Sequence, residues 1–141
     1  MKRLYLPCFL LFVAFSFSCK KFIQQQEEKA VMSIITNGNW YVTEYLQDGN
    51  DITSTFSGYL FKFDANGIVT GSSVNAGVSD KGSWTADVAA KTITSGFPTA
   101  APPVSLLDGV WKIKDSGTDF VLANYTDTIN HRVDVLRIQK Q

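Results

Sequence analysis

The turn Asp64-Ala65-Asn66-Gly67 lies between two runs of extended-chain pattern and constrains this chain more than any other stretch. Before it, Tyr59-Leu60-Phe61-Lys62-Phe63 alternates, which puts Tyr59, Phe61 and Phe63 on one face of a strand. After it, Ile68 to Val74 returns as the next strand. Asn-Gly accepts the positive φ angles of a tight hairpin turn and is the strongest short hairpin signal a sequence carries. A hairpin with one aromatic face needs further strands to cover that face, because an isolated hairpin is barely stable in water.

Further strands follow the same logic. Trp40 to Leu46 opens after Gly38-Asn39 and alternates Trp40 and Val42 against Tyr41 and Thr43. Lys81 to Ala86 carries Trp84, Lys91 to Ser95 carries Ile93, and Asp87 to Ala90 joins them. Val110 to Lys114, a Ser116-Gly117 turn, Asp119 to Asn124 and Arg132 to Gln139 complete the set. All three tryptophans stand two residues after a glycine. Eight strands joined locally predict an antiparallel meander rather than a parallel sheet. Residues 75–82 and 96–108 are the long connections, and the second is too rich in proline to be a central strand. Its Phe97, Val104 and Leu106 make it apolar for a loop, which suits packing onto the barrel, a lid, or a patch facing a partner.

At 141 residues, 45% hydrophobic and 18% charged, the chain has the length and composition of one folded domain. Aromatic content of 13% fits an all-β fold. Glu27 to Thr36 has helical spacing of Ala30, Val31, Ile34 and Ile35, with Asn37-Gly38 as its stop. The expected architecture is an all-β, eight-stranded antiparallel up-and-down barrel with a short N-terminal helix, since closure leaves no exposed sheet edge. A barrel of eight strands has an interior that side chains fill or that holds one small ligand. Trp40, Val42, Tyr59, Phe61, Phe63, Trp84, Ile93, Trp111, Ile113, Phe120 and Leu122 are the expected inward positions.

The amino terminus is an address. Met1-Lys2-Arg3 is a basic lead, Leu4 to Phe17 is apolar apart from Ser16, and Ser18 precedes Cys19. That is a secretory signal, too short to be a stable membrane span. A small residue before a cysteine at this point resembles a bacterial lipobox, with Ser16 standing where leucine is usual. Lipidation of Cys19 is expected, the other reading being ordinary cleavage that leaves a free thiol. Cys8 leaves with the signal, so the mature chain holds one cysteine with no partner, and a lipid thioether protects it. The expected divisions are 1–18 signal peptide, 19–28 lipid-anchored linker and 29–141 barrel. Lys20-Lys21 follow the cysteine with no aspartate at the next position, which by resemblance to bacterial lipoproteins disfavours inner-membrane retention, so the expected location is the outer membrane, facing the periplasm. Loss of Lys2 and Arg3 leaves 11 basic against 13 acidic residues. No basic cluster suggests nucleic acid as a partner.

Gly38-Asn39-Trp40, then Asp48-Gly49-Asn50-Asp51-Ile52-Thr53, Phe56, the Tyr59–Phe63 strand with Asn66-Gly67, and Leu106-Leu107-Asp108-Gly109-Val110-Trp111 form an ordered set. Over about residues 30–140 this set resembles the lipocalin-like lipoproteins of bacterial envelopes, within the lipocalin superfamily. The resemblance implies a monomeric barrel that binds a small hydrophobic molecule, lined here by Trp40, Tyr59, Phe61, Phe63, Trp84, Trp111 and Phe120. It also implies a basic residue near the last strand stacked on the first tryptophan, for which Arg137 is the candidate.

Catalytic chemistry finds no support in the sequence. His131 is the only histidine, and no Gly-x-Ser-x-Gly elbow accompanies it. One histidine and no free cysteine do not build a zinc site, and the Asp/Asn turns at 48–51 and 64–67 lack EF-hand spacing. The expected protein is therefore a non-catalytic, cofactor-free lipoprotein binding an apolar ligand. The alternative is a filled barrel whose apolar 96–107 loop meets another envelope protein.

Overall fold

A computed structural model describes residues 8–141, with side chains from residue 21 onward except Phe22. Among these residues one helix, α1 (Cys8–Thr36), precedes nine strands. The strands are β1 (Trp40–Gln47), β2 (Asn50–Asp51), β3 (Tyr59–Phe63), β4 (Ile68–Ser73), β5 (Val78–Asp87), β6 (Thr92–Gly96), β7 (Gly109–Ser116), β8 (Phe120–Asp127) and β9 (Arg132–Lys140). β2 is a two-residue bridge onto the end of β1, at Leu46↔Asp51 and Gln47↔Asn50. The other eight strands run as a meander, and β1 closes it against β9 from Trp40↔Lys140 to Gln47↔Asp134. The eight-stranded antiparallel barrel expected from the sequence is present.

Local chemistry explains the differences in extent. No glycine or proline interrupts residues 8–36, and Gln24 to Ala30 are mostly good helix formers, so the segment expected as a linker is helical. The helix stops where expected, ahead of Gly38 at φ +93. β5 starts at Val78, three residues before the expected strand, so residues 78–82 are not loop. Their polar composition hides them, but β4 pairs with all of them, from Ser73↔Val78 to Val69↔Gly82.

The meander gives the barrel two ends. α1 packs at one end with the β3–β4, β5–β6 and β7–β8 turns, and the other end carries the long 97–108 connection. That connection is a cap. Phe97, Val104 and Leu107 are buried, while Pro98, Ala101 and Pro102 remain exposed. The three tryptophans each tie a strand to a neighbouring connection by an indole N–H donated to a carbonyl at 2.9 Å. Trp40 donates to Ile35 in α1, Trp84 to Asp64 in the β3–β4 turn, and Trp111 to Leu107 in the cap.

Two inward glycines let aromatic rings fill the barrel. A Cβ at Gly71 would meet the Phe61 ring, and one at Gly82 would collide with the Gly96 carbonyl oxygen and the Phe97 ring. Gly82→Ala is therefore expected to destabilise by about 1–3 kcal/mol, as overpacking does. Chemical denaturation checks this, and an unchanged midpoint would show that Phe97 is not seated there.

Candidate functional site

The interior is the natural place to look for a ligand site, and it is nearly full. The remaining cavity is about 50 Å³, walled by Phe61, Phe63, Val69, Ile93, Ser95, Phe97, Leu107, Trp111, Val121, Ala123, Leu136 and Ile138. Ser95 is the one polar wall residue, and its hydroxyl donates to the Leu107 carbonyl. An engineered apolar cavity that accepts benzene measures roughly 150 Å³, so this space is about a third of what that small ligand needs.

The seven residues expected to line a pocket separate into groups. Phe61, Phe63 and Trp111 line the cavity. Trp40 and Trp84 are buried, but toward the α1 end, where Phe63 and Trp84 meet edge to face at 5.3 Å. Tyr59 is half-buried beside Phe61, their rings stacked at 6.3 Å. Phe120 and Leu122 are not inward. Val121 and Ala123 face the cavity, so the side-chain parity of β8 is the reverse of the expected one. Trp111 and Tyr125 already fill this region, their rings 5.6 Å apart, and small side chains at 121 and 123 leave room for them.

The cation over the first tryptophan is Lys140, not Arg137. Trp40 pairs directly with Lys140 across the β1–β9 closure, and Lys140 Nζ lies 5.1 Å from the indole ring. Arg137 pairs with Glu44 past a bulge, and its guanidinium stacks over Phe120 at 4.6 Å. Cross-strand register, which the sequence motif does not show, selects between the two bases.

A polar cluster holds the cap end. Asp134 is fully buried. Its Oδ1 accepts the Asp48 backbone N–H at 3.2 Å and lies 3.1 Å from Arg132 Nε. The Arg132 N–H makes no aligned hydrogen bond, so that pair is one of charge proximity. Tyr45 is fully buried, stacks on Phe56 at 5.1 Å, and its hydroxyl donates to the Leu106 carbonyl at 2.9 Å, with Asp134 Oδ2 at 3.4 Å. One hydroxyl has one proton, and the shorter contact takes it. Tyr45 thus latches the cap from below, beside the Trp111 and Ser95 bonds to Leu107.

Burial raises the Tyr45 phenol above its ordinary range, reinforced by the nearby Asp134 charge. Above about pH 10 the unfolded chain releases this proton while the folded chain keeps it. Stability from this group is complete below pH 10 and is expected to fall above it by about 1.4 kcal/mol per pH unit. Urea midpoints taken between neutral and alkaline pH check this. Tyr45→Phe should flatten the decline, and an equally steep decline in that variant would assign it to other groups.

His131 sits at positive φ in the β8–β9 turn, where Asp127 accepts the Ile129 and Asn130 amides. Among the described residues no group of three or more histidine, cysteine or acidic side chains converges as a metal site. Among them also, no helix is long and apolar enough to cross a membrane. Residues 1–7 of the expected signal peptide, and the side chain of Cys19, lie outside what the structure describes.

No family model matches the sequence, and no curated protein matches it either. Among solved structures, the chain is similar to a DUF4847 family protein from Bacteroides vulgatus ATCC 8482, with a TM-score of 0.54 at 17% identity. The match covers 79% of this chain and 99% of that one. At that identity the likeness is one of fold, the barrel.

Proposed function

We propose that this chain is a non-catalytic lipoprotein of the bacterial envelope, held in the outer membrane on its periplasmic side by a lipid on Cys19, with a self-filled barrel that acts through its outer surface as an interaction module. The observation that carries the filled-barrel reading is the interior cavity of about 50 Å³. Pockets that enclose small molecules begin at about 300 Å³. The anchor rests on the basic lead, the apolar run and the Ser18-Cys19 pair. Each buried lipid methylene contributes about 0.8 kcal/mol, and two or more chains give stable attachment.

Phe97, Val104 and Leu107 of the 96–107 segment are buried, so the module's contacts fall on its exposed crest and on the outer wall. A second reading, an apolar ligand held inside the barrel, draws on one observation. Phe97 and Leu107 belong to the cap and also wall the cavity, so lifting the cap would widen it.

Cys19→Ala is expected to move the protein from the membrane fraction to the soluble one, and continued membrane fractionation would overturn the anchor. Native mass spectrometry of the membrane-extracted protein separates the two readings of the barrel. The filled barrel gives the same mass folded and denatured, whereas an adduct lost on denaturation would establish the ligand reading.

A further inference from the structure

The barrel wall has one weak seam. β1 and β3 share a single register pair, Trp40↔Phe61, where the other adjacent barrel strands share at least four. Continuing that register would set Val42 opposite Tyr59, but the strands part before reaching them. The connection after β1 keeps them apart. Ile52 N–H donates to the Tyr45 carbonyl, and the Tyr45 N–H donates to Thr53 Oγ1. The 3-10 turn Thr53–Phe56 then drives the Phe56 ring into the gap. Asp51 fixes that turn by accepting both the amide and the hydroxyl of Thr53.

What remains is a slot of about 350 Å³, open on the outer wall, between Tyr41 and Tyr59, with Ser54, Ser57, Val42 and Phe56 among its walls. Its chemistry is distinctive in two ways. No lining residue carries a formal charge, which removes the usual means of holding a phosphate, a carboxylate or a metal ion. Five of its eight lining residues, Tyr41, Thr53, Ser54, Ser57 and Tyr59, carry a hydroxyl. An uncharged slot with aromatic walls and a hydroxyl-rich lining matches a ligand with apolar ring faces and many hydroxyl groups.

We propose that this slot binds a neutral saccharide, the Tyr41 ring packing against a sugar face and the Ser54 and Ser57 hydroxyls exchanging hydrogen bonds with its hydroxyls. Val42 and Phe56 form the apolar floor. The site lies outside the barrel interior and does not depend on the cap or the lipid.

Saturation-transfer NMR on the full-length protein, in a detergent without a sugar headgroup, tests this. The probes are glucose, mannose, galactose, N-acetylglucosamine, and the β1,4-linked disaccharides of glucose and of N-acetylglucosamine. At least one should show transfer to its ring protons, and Tyr41→Ala should weaken that binding about five- to tenfold, the scale of one aromatic packing contact. Val110→Ala, exposed on β7, should leave it unchanged. Tyr41 is itself partly exposed, so its loss should leave the melting temperature near that of the parent. No transfer from any probe would overturn the proposal. So would transfer that Tyr41→Ala leaves intact, because binding would then lie elsewhere.

Discussion

Trp40→Ala is expected to lower stability by about 3–5 kcal/mol, the range for removing a large buried aromatic side chain. Trp40 has no exposed surface, and three separate interactions meet on it. Its ring fills the α1 end of the core, its N–H satisfies the Ile35 carbonyl, and Lys140 Nζ rests over its face. Trp40→Phe separates the parts, since it keeps most of the ring and loses the hydrogen bond. That variant should cost about 1–2 kcal/mol beyond its loss of ring area. Thermal and urea unfolding of both variants check the pair. An unchanged melting temperature for the alanine variant would mean that β1 is not in the register described here.

Asp134→Ala is the second large effect. The carboxylate is completely enclosed and faces the Asp48 amide, the Arg132 guanidinium and the Tyr45 hydroxyl. Removing it takes the counter-charge from Arg132 and one of two acceptors from the Asp48 N–H, the other being the Val133 carbonyl at 3.2 Å. Unpairing a buried charge costs about 3–5 kcal/mol. The Arg132 side chain is one-third exposed and can turn toward water, which puts the expected loss near about 3 kcal/mol. Asp134→Asn keeps an oxygen for the Asp48 amide and should cost less. A double-mutant cycle with Arg132→Ala measures the charge coupling directly. If Arg132→Ala alone leaves stability unchanged and the double variant matches Asp134→Ala, the coupling is zero and the other contacts of Asp134 are the whole effect.

The fold was largely legible because it was written in local signals. Asn66-Gly67, the Tyr59–Phe63 alternation and the glycine before each tryptophan placed strands that the structure contains. Three kinds of information were not local. The parity of β8 depends on which side already holds Trp111 and Tyr125, and Phe120 looked like a core residue on hydrophobicity alone. The choice of Lys140 over Arg137 depends on how β9 meets β1 across the closure. The start of β5 depends on β4 needing a partner, since Val78 to Gly82 carries little apolar signal. As for the candidate site, a list of aromatic residues showed what could be inside the barrel. It did not show that Gly71 and Gly82 let the Phe61 and Phe97 rings occupy the space a ligand would need. The slot at the β1–β3 seam was invisible for a similar reason, because a missing set of strand pairs leaves no mark on the residues that would have made them.

The C-terminal carbonyls of α1 carry a mechanical consequence. Lys140 from β9, Trp40 from β1 and Lys62 from β3 donate to Ile34, Ile35 and Thr36 in succession. Those three strands lie side by side around the closure of the barrel. A pull on the chain upstream of the helix is therefore shared across three strands at once, loading each ladder along its length instead of peeling β1 away from its end. The closure between first and last strands, the place where a meander barrel would otherwise begin to unzip, is the place where the load is spread.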